Sequence, residues 1–217
     1  MLIKLNLFML IFWLFSFSMA QKNEVYLNDD LVQISESEFK KMNDLHKFYN
    51  LQYETDSSFI NIKVQRVRKG KLSGEVWNAI KSELSALSNQ EIPENDLIII
   101  NYYHGMDGCN SSGNKSYMTA KYKRFLKGIN KMPDLSQFFV FKSAEGTTNY
   151  GKNINWIHDK SRRIEKTFFP LKYPCGSYVL IDENGNYYLQ KGEYDIEQII
   201  DLVKNKKTTF ATINSSY

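Results

Sequence analysis

The pattern of apolar and polar residues changes its period along the first half of the chain. Residues 59–67 alternate between apolar and polar side chains, which predicts a strand with one solvated face. Residues 75–87 place apolar side chains at intervals of three and four, which predicts an amphipathic helix. Residues 98–100 are consecutive isoleucines, as expected for a central strand buried on both faces. The pattern therefore predicts a strand, a helix and a second strand.

The next stretch of the chain continues this alternation of helices and strands. Helical spacing over residues 117–132 predicts a helix that ends before a proline, and the aromatic run 138–141 predicts a short strand. The variable segment 144–172 has four apolar side chains spaced as in a helix: Trp156, Ile157, Ile164 and Phe168. We therefore expect a helix in this segment.

The last third of the chain predicts an antiparallel hairpin followed by a helix. Residues 177–182 and 187–190 have the character of two strands, and Asn184-Gly185 between them is a strong signal for a tight turn. Residues 195–203 place isoleucine and valine on one helical face, which predicts the closing helix. Residues 206–217 are expected to form a polar tail.

The N-terminal part of the chain predicts an export signal and a polar extension. Lys4 precedes the apolar stretch 5–17, and Ser18-Met19-Ala20 places small residues before an expected cleavage at Gln21. Because a transmembrane helix needs about 20 apolar residues, we expect residues 1–20 to be removed and no membrane contact to remain. Residues 21–58 form an extension with one helix, since Ser35 and Glu38 have capping-box spacing.

Composition and charge narrow the classes of function. The 217 residues carry 28 Lys and Arg against 24 Asp and Glu, and this mild excess predicts no nucleic-acid partner. The basic runs 66–71 and 160–163 also lack the interleaved aromatic residues of a nucleic-acid platform. The 14 tyrosines and 14 phenylalanines instead favour a fold that rests on apolar burial.

The order of these elements and two local motifs resemble exported proteins of the thioredoxin-like superfamily. Residues 96–101 followed by Tyr102-Tyr103 are similar to the strand that leads into the Trp-Cys-x-x-Cys loop of such proteins. Residues 175–188 are similar to the segment that follows their cis-proline. The resemblance covers residues 59–205 and implies an α/β fold, a thioredoxin-like mixed sheet flanked by helices, with the N-terminal extension outside it.

Two positions depart from the superfamily pattern. An ungapped alignment places Asp107-Gly108-Cys109-Asn110 where the superfamily has its two reactive cysteines, and a one-residue adjustment gives Cys109 the resolving position. The cis-proline position falls on Gly176, with Pro174 two residues earlier. One loop therefore does not offer both thiols that dithiol exchange requires.

The resemblance also implies that the loops of Cys109 and Cys175 lie side by side. An exported chain whose only cysteines are these two is expected to pair them, the alternative being that both are ordinary, unpaired buried thiols. One interpretation is a redox pair, with His104 or Asp107 tuning the thiolate. The alternative is a non-enzymatic binding module that is stapled by a structural disulfide. The sequence does not decide between an enzyme and a binding module.

The same loops supply candidate binding residues for a protein or small-molecule ligand. These residues are Tyr102, Tyr103, His104, Asp107, Pro174 and Gly176. No cofactor is expected. No metal site is expected either, because zinc requires three or four ligands in fixed geometry and this loop supplies at most three poorly suited ones.

Overall fold

The computed structural model describes residues 22–109, 115–152 and 154–211. The chain divides into two compact units, Met1–Val64 and Gln65–Tyr217. The predicted export signal 1–20 lies outside the described residues, as does the end of the predicted tail. No helix within the described ranges is long and apolar enough to cross a membrane.

In its described residues, from position 22 onwards, the N-terminal unit contains a three-stranded sheet and one helix. Its strands are β1 (Asn23–Asn28), β2 (Phe48–Glu54) and β3 (Ser58–Gln65), and β3 lies between the other two and parallel to β1. Helix α1 (Glu36–Lys41) begins at the predicted capping box. The Ser35 hydroxyl accepts a hydrogen bond from the Glu38 amide at 3.2 Å, and the Glu38 carboxylate accepts one from the Ser35 amide at 2.9 Å.

The C-terminal unit contains a six-stranded mixed sheet. Its strands are β4 (Val67–Lys71), β5 (Leu97–Tyr103), β6 (Leu135–Phe141), β7 (Trp156–His158), β8 (Ser177–Ile181) and β9 (Asn186–Gln190). The spatial order is β4-β9-β8-β5-β6-β7. Strands β5, β6 and β7 run parallel, whereas β8 is antiparallel to β5, β9 to β8, and β4 to β9.

In the described part of the C-terminal unit, five helices connect and flank these strands. They are α2 (Gly74–Ser88), α3 (Lys115–Ile129), α4 (Arg163–Phe168), α5 (Gln198–Lys204) and α6 (Lys206–Phe210), and a 3-10 helix covers Thr147–Tyr150. Helix α2 begins at Ser73, whose hydroxyl accepts from the Val76 amide, and it buries Trp77, Ile80 and Leu84 at the predicted spacing. The structure thus confirms the α/β mixed sheet that the sequence predicts.

Strand β5 is the centre of the sheet. All seven of its residues are buried, and Ile98, Ile99 and Ile100 have no exposed surface. It pairs with β6 on one side and with β8 on the other. Burial on both faces explains why its sequence shows no alternation.

The predicted hairpin is also present. The Asp182 carboxylate accepts from the backbone amides of Asn184 at 2.9 Å and Asn186 at 2.8 Å, which closes the turn between β8 and β9. Gly185 takes a left-handed conformation with φ of +77°, which a glycine adopts without the steric cost of a Cβ atom. Turn chemistry therefore sets the register of this strand pair.

Two predicted elements differ from those in the structure. The strand predicted over residues 59–67 divides into β3 and β4, and β3 pairs with the N-terminal sheet, whereas β4 pairs with β9. The predicted helical stretch from Trp156 contains strand β7, because Trp156 and Ile157 pair with Phe139 and Val140. A short apolar run fits the period of a helix or of a strand, and here pairing with β6 at the edge of the sheet makes it a strand.

The beginning of the predicted polar tail is helical. Thr209 of α6 is buried, and its hydroxyl donates to the carbonyl of Leu202 at 2.7 Å. The ammonium of Lys69 donates to the carbonyl of Ala211 at 3.1 Å. These contacts with α5 and β4 order residues that composition alone assigns to solvent.

Candidate thiol-disulfide site

The two cysteines lie on neighbouring loops at one edge of the sheet. Cys109 follows the end of β5, and Cys175 precedes the start of β8. Because these strands are antiparallel neighbours, with Tyr102 opposite Ser177, the end of one meets the start of the other. A disulfide joins Cys109 and Cys175 across 66 residues, with 5.2 Å between the Cα atoms, inside the usual range for such bonds. The expected pairing is therefore present.

The two halves of the disulfide differ in exposure. Cys109 is exposed, whereas Cys175 is half-buried. A thiol in solution attacks the sulfur that it can reach. Cys109 is therefore the more accessible half of the bond to a thiol in solution.

The Asp107 carboxylate accepts hydrogen bonds from both cysteine loops. Its Oδ1 accepts from the backbone amide of Cys109 at 2.9 Å, and its Oδ2 accepts from the backbone amide of Cys175 at 2.8 Å. Asp107 stands where an ungapped alignment would place the first cysteine of a Cys-x-x-Cys loop. The position that this alignment gives to the first cysteine is therefore occupied by a carboxylate that accepts two amide hydrogen bonds.

The backbone around Cys175 has an unusual conformation. Cys175 and Gly176 both have positive φ, +64° and +84°. A Cβ atom at position 176 would lie 3.4 Å from the carbonyl oxygen of Tyr102, so the loop packs closely on the end of β5. No peptide bond in the described part of the chain is cis, and the bond before Pro174 is accordingly trans. The site therefore lacks the cis-proline of the superfamily pattern.

His104 lies beneath this loop and carries no charge at neutral pH. Its ring is buried against Tyr102 and Tyr173, at centroid distances of 4.9 and 6.0 Å. Nε2 is 3.1 Å from the carbonyl oxygen of Phe169 and must be the donor, since a carbonyl only accepts. Burial lowers the pKa of His104 to about 4. The imidazole consequently provides no cation to stabilise a thiolate near pH 7.

The candidate binding tyrosines are part of the core. Tyr102 is 1% exposed, and its ring stacks on Phe169 with a centroid distance of 4.8 Å. Tyr103 is 3% exposed, and its hydroxyl donates to the carbonyl of Glu145 at 2.9 Å. Of the remaining candidates, Asp107 and Pro174 are half-buried and Gly176 is buried. The structure brings all the candidate residues near one loop pair, but the tyrosines do not form an exposed aromatic surface.

A small cavity next to Cys175 is lined by residues that the sequence analysis did not identify as part of the site. Its lining includes Asn101, Trp156 and Tyr194 together with Cys175, and its volume of about 10 Å³ is enough for about one water molecule. The Tyr194 hydroxyl donates to Oδ1 of Asn101 at 2.7 Å. Asn101 is the polar residue inside an otherwise apolar strand, and this is the one sequence signal that marks the cavity.

A second polar cluster lies behind Tyr102. Oδ2 of Asp159 accepts from the Glu165 amide at 2.8 Å and from the Tyr102 hydroxyl at 3.4 Å. Glu165 pairs with Arg162 at 2.6 Å and with Lys142 at 2.7 Å. The hydrogen bond from Arg162 lowers the pKa of Glu165 to about 2, and burial raises the pKa of Asp159. This network fixes the end of β7 and the start of α4.

The described ranges contain no group of three or more His, Cys, Asp or Glu side chains arranged to hold a metal ion. His104 directs its one hydrogen-bonded nitrogen to a backbone carbonyl. The chemically reactive groups that the two loops bring together are the two sulfurs and the Asp107 carboxylate.

No protein-family model and no curated protein matches the chain. Among solved structures, it is similar to the thioredoxin domain of a thiol-disulfide oxidoreductase from Bacteroides vulgatus, with a TM-score of 0.34, 11% identity, and coverage of 54% of this chain and 81% of that chain. It is also similar to a reduced 2-Cys peroxiredoxin from Plasmodium vivax, with a TM-score of 0.38, 14% identity, and coverage of 77% and 85%. Both similarities are low, so the fold description rests on strand order and connections. The C-terminal unit is an α/β mixed sheet in which β5, α3 and β6 are followed by the β8–β9 hairpin and a closing helix, which is the order that the thioredoxin-like resemblance predicts.

Proposed function

We propose that this protein is an exported thioredoxin-like protein whose Cys109 and Cys175 take part in thiol-disulfide exchange from two neighbouring loops. The observation that carries this proposal is the position of the disulfide. It joins the loop after the central strand to the loop before the hairpin, and one of its cysteines is exposed. A pair across two loops provides the two thiols that the degenerate active-site loop alone does not offer.

The exchange step balances with an external thiol as the reductant. A thiolate of that thiol attacks Sγ of Cys109 and forms a mixed disulfide, while the bond to Cys175 breaks and its electron pair stays on the Cys175 sulfur, which takes a proton from water. A second external thiolate then releases reduced Cys109. In the reverse direction, Cys109 attacks a partner disulfide and Cys175 resolves the intermediate.

Titration against glutathione buffers tests the proposal. A reduction potential near about −200 mV supports a redox role, whereas a value well below about −300 mV identifies a structural bond. The matched variants Cys175→Ser and Cys109→Ser each leave one thiol. We expect oxidised glutathione to form a mixed disulfide faster with exposed Cys109 than with half-buried Cys175. Equal and slow rates at both positions would contradict the assigned order of attack.

The charge around the sulfurs favours a second candidate, a binding module with a structural disulfide. Reactive cysteines usually have a cation nearby that lowers the thiol pKa. Here the Asp107 carboxylate bonds to both cysteine amides, and His104 is neutral near pH 7. A potential well below about −300 mV, together with no mixed disulfide, would select this second function.

Export is the other part of the proposal. The apolar stretch 5–17 with small residues at 18–20 supports a cleaved signal. A disulfide persists in oxidising compartments, and the Cys109–Cys175 bond is consistent with that location.

A further inference from the structure

Asp107 links the two cysteine loops independently of the disulfide. Its two carboxylate oxygens accept from the backbone amides of Cys109 and Cys175, at 2.9 and 2.8 Å. The donors are main-chain groups, so these hydrogen bonds do not require the sulfur-sulfur bond. The two loops therefore have a second link, in addition to the disulfide, that does not involve the sulfur atoms.

Resting on the proposed function, we propose that Asp107 is a positioning residue that keeps the two thiols together in the reduced protein and so favours closure of the disulfide. Holding two groups close raises their effective concentration for each other. A higher effective concentration of Cys175 around Cys109 shifts the exchange with glutathione towards the closed bond.

The carboxylate is required because of its two acceptor oxygens. An asparagine of the same shape offers one acceptor oxygen and an NH₂ group, which only donates. Asp107 holds its own loop through the Cys109 amide and reaches the other loop through the Cys175 amide. In Asp107→Asn one of these two hydrogen bonds is lost, and the link between the loops is weakened. The negative charge is a separate contribution, because a nearby carboxylate also disfavours a thiolate.

Two variants separate the link from the charge. Asp107→Asn removes the charge and one of the two hydrogen bonds, whereas Asp107→Glu retains the charge and moves the oxygens by one methylene group. Asp44→Asn is the matched control, since the exposed Asp44 also accepts from the amide two residues ahead, at 2.9 Å from His46. All variants are made in the mature full-length protein, and circular dichroism confirms that each is folded.

The first measurement is the equilibrium of each variant with reduced and oxidised glutathione. We expect Asp107→Asn and Asp107→Glu to lower the constant for disulfide closure three- to tenfold, which corresponds to a rise in potential of about 15 to 30 mV. Asp44→Asn should leave the constant unchanged.

The second measurement is the pH dependence of Cys109 alkylation by iodoacetamide in a Cys175→Ser background. Its midpoint should move to lower pH in Asp107→Asn only.

These outcomes decide the inference separately from the function. An unchanged closure constant in both Asp107 variants would overturn it, as would an equal change in Asp44→Asn. If Asp107→Asn does not fold, the closure constant of Asp107→Glu decides alone. The proposed function depends on the absolute potential of the wild-type protein, whereas the role of Asp107 depends on differences between variants. Either can therefore fail without the other.

Discussion

Removal of the disulfide should lower the free energy of unfolding of the C-terminal unit by about 4 kcal/mol. The bond closes a loop of 66 residues, and the chain-entropy relation for a loop of this length gives about 14.6 cal/mol/K, or about 4.3 kcal/mol at 25 °C. The bond acts through the unfolded state: it restricts the conformations of the unfolded chain and so makes unfolding less favourable. The hydrogen bonds of Asp107 in the folded protein do not compensate for the loss of the disulfide.

The double variant Cys109→Ser with Cys175→Ser tests this magnitude. Urea unfolding followed by circular dichroism should show a lower midpoint and a larger dependence of the free energy on urea, because the unlinked chain exposes more surface. For a chain of this size the melting temperature should fall by about 8 to 16 °C. Wild-type protein with the bond reduced serves as the control and should behave like the variant. A loss below about 1 kcal/mol with an unchanged urea dependence would refute the chain-entropy argument.

Three further predictions follow from burial, charge and the N-terminal pattern. His104 has a pKa of about 4 in the folded protein against 6.5 unfolded, so the free energy of unfolding should fall by roughly 3 kcal/mol as pH drops from about 6.5 to about 4. The melting temperature of His104→Gln should depend less on pH over this range than that of the wild-type protein, and an equal pH dependence would exclude His104 as the cause. Ile99→Asp places an unpaired charge at a position with no exposed surface and should lower the free energy of unfolding by more than about 4 kcal/mol; near-normal melting would contradict the central position of β5. Mass spectrometry of the exported protein should give a chain that starts near Gln21, and a mass that still includes residues 1–20 would contradict signal cleavage.

The elements that the sequence predicts well are those that local chemistry determines. The capping box at Ser35, the helical stripe of α2, the isoleucines of β5 and the Asn-Gly turn each carry their signal within a few residues. The disulfide was also predictable, because the resemblance places its two loops at one edge of the sheet.

The remainder depends on contacts between distant residues. Nothing in the local pattern of residues 58–65 shows that this strand pairs with β1, and Trp156 has helical spacing until β6 is present beside it. Asp107 was predicted to tune a thiolate, but its link to the Cys175 loop depends on a residue 68 positions away. The burial of His104 under Phe169 is equally non-local.

The two outer strands of the six-stranded sheet have a consequence for association between chains. An outer strand has one row of backbone amides and carbonyls that is not paired within the sheet, and a strand of another molecule can add to it. Here one outer strand, β4, carries Arg68, Lys69 and Lys71, and the other, β7, has only three residues. Positive charge at one edge and short length at the other both oppose such addition. The strongly apolar strands lie inside the sheet, away from the two edges to which a strand of another molecule could add.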